Sequence, residues 1–254
     1  MFAFLRRHPI PINAFFDYSL VLTYAFPKEL LQPLLPPGLA VDAYGDLGFV
    51  AIALVQTRGL RPAGLPMRMG RDFFLSGYRI FARYTRPNGQ VLRGLRILRS
   101  DTDSRLMARA GNLLTHYNYK HCLVESNREG DAFSLSIRTP NDEADLKLTA
   151  NLSAAPASPP ASSPFPDWHT ARQFAGPLPF TFDYEAESHS LVIIQGVREN
   201  WSPRPVGVEV EKAAFFDHPP FRGAAPRPAN AFFIERIPYQ WRRGILEKLP
   251  AAAR

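Results

Sequence analysis

The sequence predicts an α+β protein that is mostly antiparallel β, with few helices. Two observations predict this class: short runs of β-branched and aromatic residues recur between turn residues, and segments of helical periodicity are rare. The chain has 254 residues, of which 46% are hydrophobic and 21% charged, so it can bury a large core. We therefore expect a single domain over residues 1–254.

Eight segments have the length and composition of strands. Two of them are joined by Pro87-Asn88-Gly89, and this turn predicts a hairpin because Asn and Gly tolerate positive φ angles. The segments are DYSLVLTYA, LGFVAIALVQ, FFLSGYRIFARY, QVLRGLRILRS, FSLSIRT, DLKLTANLS, SLVIIQGV and VGVEVEKAAFF.

Three short helices are predicted. PKELLQPLL begins with Pro27, which suits a first helical turn, and Pro33 limits its length. SRLMARAGNLL can be capped by Asp101, Asp103 or Ser104. In PYQWRRGILEKL an apolar residue recurs at every fourth position, which predicts a C-terminal helix with one apolar stripe. The stripe consists of Ile237, Trp241, Ile245 and Leu249.

A proline-rich loop is predicted at about residues 154–166. Five prolines in this stretch remove the N–H donors that a central strand would need. Long loops in compact domains are often functional. Two interpretations stay open: an exposed spacer between two parts of the sheet, which we favour, and a lid over a site.

Several classes of protein are disfavoured. The single cysteine, Cys122, excludes an internal disulfide and a multi-cysteine zinc site and suggests the cytoplasm. No apolar run reaches the ~18 residues of a membrane-spanning helix.

His116 and His121 are five residues apart and share no face, so no metal is predicted. Phosphate-loop, dinucleotide and serine-elbow motifs are absent, and no cofactor is predicted. Homo-oligomerisation stays open.

The net charge of +7 raises the question of a nucleic-acid partner. Basic residues interleaved with aromatics between Arg79 and Arg109 resemble a surface that binds single-stranded nucleic acid. The alternative is a solvated sheet face whose arginines pair with nearby acids such as Asp101 and Asp103. We favour the alternative, so nucleic acid is disfavoured as a partner.

The segment HYNYKHC, residues 116–122, concentrates chemically active side chains. Only five of the 30 Lys and Arg residues are lysines, and Lys120 is one of them. Desolvation inside a dry barrel would disfavour its ammonium form, and the free amine could form a Schiff base with a carbonyl compound. The local sequence favours the other interpretation, a strand lysine that pairs with a carboxylate such as Glu125.

The order of segments resembles the acetoacetate decarboxylase-like superfamily. A strand, then PKELLQPLLPPGLAVD, then LGFVAIALVQ is similar to the opening of these proteins, and FFLSGYRIFARY, HYNYKHC and LVIIQGVRENWSPRPVGVEV continue the likeness. The pattern is most similar to the DUF2071 (YqjF-like) family within the superfamily. This resemblance implies an antiparallel β barrel or cone with a few peripheral helices.

The resemblance also implies roles for particular residues. Acetoacetate decarboxylases carry an aromatic-Pro-Lys-Lys motif, and setting its aromatic on Tyr117 puts Tyr119 at the catalytic lysine and Lys120 at the second lysine. Their catalytic arginine and one glutamate fall on Asp17 and Ala51, and another glutamate falls in the acid-free LRPAGLPMRM loop. The decarboxylase set is therefore incomplete. Relatives in DUF2071 commonly carry a Glu before an Arg in the strand matching FFLSGYR; here the Glu is replaced by leucine and the Arg is kept.

These arguments predict an interior pocket for a small organic acid or carbonyl compound. The protein is then either a decarboxylase-like lyase with a Schiff-base lysine or a non-catalytic small-molecule-binding β barrel. Arg198 and Trp201 follow an apolar strand and either rim this pocket or form a surface turn. The predicted catalytic residues are Lys120 and Tyr119, and the predicted substrate-binding residues are Arg79, His116, Tyr117, Arg198 and Trp201.

Overall fold

The computed structural model describes residues 3–153, 155–175 and 178–250, and strands dominate them. The α-helices in this part are α1 (Lys28–Leu31), α2 (Arg105–Leu114) and α3 (Trp168–Ala175). The strands are β1 (Ile12–Pro27), β2 (Leu39–Val41), β3 (Leu47–Pro62), β4 (Arg71–Thr85), β5 (Val91–Thr102), β6 (Tyr119–His121), β7 (Leu123–Glu129), β8 (Ala132–Arg138), β9 (Leu146–Asn151), β10 (Phe180–Glu185), β11 (Ser190–Arg198), β12 (Arg204–Pro205), β13 (Gly207–Ala213), β14 (Arg227–Trp241) and β15 (Ile245–Lys248).

The larger sheet closes into a ring. Its order is β14-β1-β3-β4-β5-β10-β11, and β11 pairs back to β14. The pairs are antiparallel except for β5 with β10. β12, β15, β2 and β6 extend the sheet at its margins. Closure leaves an interior towards which one face of every ring strand can turn. The predicted fold class, mostly antiparallel β with few helices, is confirmed.

A second sheet, with the order β13-β9-β8-β7, packs against the ring. Alternation along β3 turns Val50, Ile52 and Leu54 into the apolar core that includes this sheet. Tyr78 of β4 adds a hydrogen bond from its hydroxyl to the Ala144 carbonyl at 3.2 Å. The other face of β3 turns into the ring; its residues are Phe49, Ala51, Ala53 and Val55.

The local predictions for the hairpin and for α2 are confirmed. β4 and β5 pair antiparallel around Pro87-Asn88-Gly89, and Gly89 has a positive φ of 83°. α2 begins after Ser104, whose side chain accepts a hydrogen bond from the Met107 N–H at 3.2 Å. The predicted PKELLQPLL helix is shorter than expected, since α1 gives way to a 3₁₀ turn at Gln32–Leu34.

The predicted C-terminal helix is wrong. Residues 227–241 and 245–248 form β14 and β15 instead. A spacing of four is also an even number, so the same apolar residues share one face of an extended chain. Pairing of β14 with β1 along its whole length outweighs the helical pattern.

The proline-rich segment covers one end of the ring. Apart from Ala154, which lies outside the described residues, the predicted loop has no strand or helix. Phe165 is buried and stacks on Phe49 at 5.3 Å between ring centroids. The chain then enters α3, whose Ala171 is fully buried. The segment is therefore partly packed against the ring, and the choice between a spacer and a lid stays a prediction.

The basic region of β4 and β5 is largely neutralised. Arg93 pairs with Asp42, Arg96 with Asp183 and Arg86 with Glu247. This pairing supports the solvated-face interpretation rather than a surface for phosphates. Among the residues that the structure describes, no helix has both the length and the apolar character to cross a bilayer.

Candidate functional site

A cavity of about 240 Å³ lies inside the ring and is lined by residues from all seven ring strands. Small residues leave this space open. One row of paired residues runs through Val21, Ala53 and Gly77, and the next runs through Thr23, Ala51 and Arg79. Alanine and glycine in the middle of a sheet leave unfilled volume that longer side chains can enter from neighbouring strands.

Arg79 is the central charged residue of the cavity. The guanidinium lies beside Gly77, where an added Cβ would approach its Nε to 2.9 Å. Among the residues that the structure describes, its buried Nε has no hydrogen-bond partner and no carboxylate forms an ion pair with the guanidinium. Burial lowers the pKa of Arg79, and nearby Tyr239 and Tyr119 offset part of that effect. An arginine remains charged even so, and this charge is uncompensated.

Two further arginines face the same cavity. Arg198, at the end of β11, lies over the indole of Trp201 at 4.0 Å from the ring centroid. Arg172 comes from α3 and donates a hydrogen bond to the Trp201 carbonyl at 3.0 Å. Burial lowers the pKa of Arg198, and repulsion from Arg172 and Arg79 lowers it further.

The remaining wall is apolar or neutral. Among the described residues that line the cavity there is no Asp, Glu or Lys. Three guanidiniums therefore share a low-dielectric space without a protein counter-ion, which favours occupation by an anion. Phe16, Phe81 and Phe232 are among the apolar residues that complete the wall.

Tyr117 and Tyr119 contribute neutral hydroxyls. Burial raises the pKa of Tyr119 to about 12 and the pKa of Tyr117 well above its usual value. Both phenols are thus protonated at neutral pH and can donate hydrogen bonds. The Tyr117 hydroxyl is buried and has no hydrogen-bond partner within the described part of the chain. These groups suit recognition of a carbonyl or carboxylate oxygen rather than removal of a proton.

The predicted site residues divide into two groups. The structure brings Arg79, Tyr117, Tyr119, Arg198 and Trp201 together in the wall of the cavity, and it does not bring Lys120 or His116 there. The residues in the wall and those outside it alternate along the segment, although Asn118 has a positive φ of 52°.

Lys120 takes part in an ion-pair network outside the cavity. Its Nζ lies 2.5 Å from the Glu143 carboxylate, and the Arg99 guanidinium donates to the same oxygen at 2.7 Å. Hydrogen bonds from Lys120, which has the larger effect, and from Arg99 lower the pKa of Glu143 to about 2. The predicted carboxylate partner, Glu125, pairs with Arg138 instead. Lys120 therefore has an anionic partner where a Schiff-base lysine would need a carbonyl compound.

Sequence reasoning missed several residues of the wall. Arg172 was overlooked because α3 was not predicted, although Asp167 was a usable signal: its carboxylate accepts a hydrogen bond from the Thr170 N–H at 2.6 Å, as in an N-cap. Thr23 and Asn230 gave no signal, since polar residues in strands are ordinary on a solvated face. Within the described residues, no group of three or more His, Cys, Asp and Glu residues is arranged to hold a metal ion.

The contact between α2 and Tyr119 gives a first prediction. A Cβ on Gly111 would lie 2.4 Å from the Tyr119 ring. We expect Gly111→Ala to push the ring into the cavity and to destabilise the protein by about 1–3 kcal/mol, as overpacking does. Thermal denaturation measures the loss. Gly207→Ala is the control, because an added Cβ there would meet only Pro156 at 3.7 Å, an ordinary contact, and the residue has no positive φ. If the clash is the cause, Gly111→Ala should cost no stability in a Tyr119→Ala background; an equal loss in both backgrounds would contradict it.

Comparison with solved structures defines the class of the fold. The acetoacetate decarboxylase of Legionella pneumophila subsp. pneumophila str. Philadelphia 1 aligns with a TM-score of 0.61 and 13% identity over 94% of this chain and 88% of its own. The enduracididine biosynthesis enzyme MppR, in complex with the condensation product of pyruvate and imidazole 4-carboxaldehyde, aligns with a TM-score of 0.63 and 14% identity over 94% of this chain and 89% of its own. An acetoacetate decarboxylase-like enzyme from Sphingomonas wittichii RW1 aligns with a TM-score of 0.57 and 14% identity over 93% of this chain and 92% of its own.

The protein thus has the acetoacetate decarboxylase-like fold, and at these identities the likeness extends to the fold alone. No curated protein sequence matches the chain. The family model DUF2071, described as an uncharacterized conserved protein, matches residues 16–237. The chain belongs to the DUF2071 family.

Proposed function

We propose that the cavity binds a small organic acid, with the carboxylate held by Arg79 and Arg198. The observation that carries the proposal is the set of arginines without a carboxylate partner in a wall that contains no acidic residue among those described. A guanidinium matches the two oxygens of a carboxylate, and the match is strong where water is excluded.

The aromatic wall restricts the rest of the ligand. Tyr239 stacks on Phe16 at 4.6 Å and contacts Trp241 at 4.5 Å between ring centroids. Tyr119 supplies a neutral hydrogen-bond donor near Arg79, which suits the carbonyl oxygen of a keto acid. MppR, which shares the fold, is also known in complex with pyruvate, a small keto acid, and this supports the chemical class of the proposed ligand.

Lys120 is a weak candidate for a Schiff base. It lies outside the wall, and its ammonium pairs with Glu143. We therefore favour the non-catalytic small-molecule-binding interpretation over a decarboxylase that uses this lysine. The cytoplasm as compartment and a homo-oligomeric state remain predictions from the sequence.

The proposal is tested by titration with a panel of aliphatic and keto acids of three to seven carbons. Two of the chain's three tryptophans, Trp201 and Trp241, line the cavity, so binding is expected to change the intrinsic fluorescence in a saturable way. Calorimetry gives the stoichiometry, with one site per chain expected. The matched controls are the methyl esters, which lack the negative charge. Equal binding of acids and esters, or no binding across the panel, would refute an anion site.

The role of Lys120 is tested separately. We expect Lys120→Met to leave acid affinity unchanged within about twofold and to cost less than about 1 kcal/mol of stability, because the pair with Glu143 is more than a third exposed. Borohydride reduction in the presence of keto acids, followed by mass spectrometry, is expected to give no adduct at Lys120. A reduced adduct at this residue would restore the Schiff-base mechanism.

A further inference from the structure

Thr23 and Asn230 form a second polar group in the cavity wall, away from the arginines. They lie directly opposite each other on the paired strands β1 and β14. Their exposures are only 2% and 4%. The Thr23 hydroxyl and both polar atoms of the Asn230 amide have no hydrogen-bond partner among the described residues.

Unpartnered buried atoms of this kind are rare, because each loses its hydration without a compensating bond. Here a donor, an acceptor and a hydroxyl that can do either occur side by side. Both residues also line a second cavity, beneath the proline-rich segment, so they stand where the two spaces adjoin. The arrangement is that of a recognition group for a neutral ligand moiety rather than of a packing defect.

The position of this pair relative to Arg79 sets the shape of the ligand. Thr23 pairs with Ala51, and Ala51 pairs with Arg79, so Thr23 and Arg79 lie two strands apart in one row. With ~4.8 Å between strands, their backbones are about 10 Å apart. Only the methyl group of Ala51 stands between them on this face, so one small molecule can reach both groups.

We propose that the ligand is a carboxylic acid with a carboxamide at its other end, and that Thr23 and Asn230 bind the carboxamide while the arginines bind the carboxylate. An amide has the complementary edge: the Asn230 Nδ2–H donates to its carbonyl, and its own N–H donates to the Asn230 Oδ1. The Thr23 hydroxyl can donate to the carbonyl oxygen of the ligand amide or accept from its N–H. The proposal rests on the proposed function, since the carboxylate end uses the same arginines.

The test compares three acids of one shape: glutaramate, 5-oxohexanoate and 5-methylhexanoate. The second lacks the amide N–H donors, and the third lacks both donor and acceptor. We expect affinities to fall in that order, with glutaramate at least about tenfold tighter than 5-methylhexanoate, because a site built for hydrogen bonds rejects a ligand that leaves them unmade. Succinamate and adipamate show the preferred length.

Variants separate this inference from the proposed function. Thr23→Val and Asn230→Leu are expected to remove most of the preference for glutaramate while keeping affinity for 5-methylhexanoate. Thr57→Val is the matched control, because Thr57 has an equally buried and unpartnered hydroxyl that does not line the cavity; it should leave every affinity unchanged. Denaturation of ligand-free Thr23→Val should give an unchanged or higher melting temperature.

The outcomes are distinguishable. If no acid binds, the proposed function fails as well. If acids bind without preference for the amide, or if both variants weaken all three acids equally, the carboxamide subsite is refuted while the anion site stands. A marked fall in the melting temperature of Thr23→Val would also refute it, since the hydroxyl would then be satisfied within the fold.

Discussion

Replacing Arg79 with methionine is expected to weaken acid binding about a hundredfold while leaving the ligand-free protein at least as stable. The loss of affinity follows because two charge-assisted hydrogen bonds disappear, worth together about 3 kcal/mol. The stability follows because the Arg79 Nε has no hydrogen-bond partner among the described residues and burial lowers the pKa of the guanidinium, so removing it relieves a desolvation cost. Calorimetric titration and thermal denaturation measure the two effects.

The matched control for this variant is Arg83→Met, in the same strand. Arg83 is exposed, and its loss should change neither affinity nor stability appreciably. Arg79→Lys keeps the charge but not the fork of donors, so intermediate affinity is expected. A structural role for Arg79 would give the opposite result, with reduced stability of the ligand-free protein and unchanged affinity in Arg79→Met.

Replacing Arg99 with methionine is expected to destabilise the protein by about 3–5 kcal/mol, the usual effect of removing one partner of a buried ion pair. Arg99 is buried and donates to Asp101 at 2.8 Å as well as to Glu143. Burial raises the pKa of Asp101 and the guanidinium offsets only part of this. Without Arg99, the fully buried carboxylate loses its hydrogen-bonded cation and keeps only the weaker electrostatic influence of Lys120.

The loss of stability in Arg99→Met should increase with pH. For a carboxyl whose pKa is raised by folding, ionisation costs stability; the cost is absent below the unfolded pKa and grows as pH rises through the folded value. The raised pKa of Asp101 should move higher in Arg99→Met, so the stability difference from the parent should widen as the pH rises from about 4, the ordinary pKa of an aspartate, towards neutrality. Glu143 has a pKa lowered to about 2 in the parent, so it remains ionised there throughout this window.

A double variant decides whether the buried charge is the cause. Arg99→Met/Asp101→Asn removes both charges and is expected to recover a large part of the stability and to lose the additional pH dependence. Urea denaturation across the pH window measures both. Equal destabilisation of the single and double variants would indicate lost packing of the arginine stem and contradict the electrostatic explanation.

Local signals in the sequence predict much of the strand pattern. LGFVAIALVQ is recognisable as a strand and Pro87-Asn88-Gly89 is enough to fix the hairpin. The strand is apolar on both faces, so the sequence alone does not separate its core face from its cavity face. The same kind of signal failed at the C-terminus, where spacing by four fits both a helix and an extended chain. Only the long pairing of β14 with β1 resolves that ambiguity.

The candidate site was only partly predictable. The resemblance to a known family implied roles for Arg79 and for the segment around Tyr119, which line the cavity, but it also implied one for Lys120, which does not. A one-residue step along an extended chain reverses the direction of a side chain, and Asn118 changes the backbone just before β6. The sequence therefore could not decide which neighbour enters the cavity.

By itself, the sequence determined the mostly antiparallel β class and the positions of most strands, because alternation and turn residues act over a few neighbouring positions. Only the tertiary structure decided that the ring closes, that Arg172 and Arg198 enter the same space as Arg79, and that Thr23 meets Asn230. These contacts join residues as far apart as positions 23 and 230, and they depend on the closing pair between β11 and β14. No local pattern carries that information.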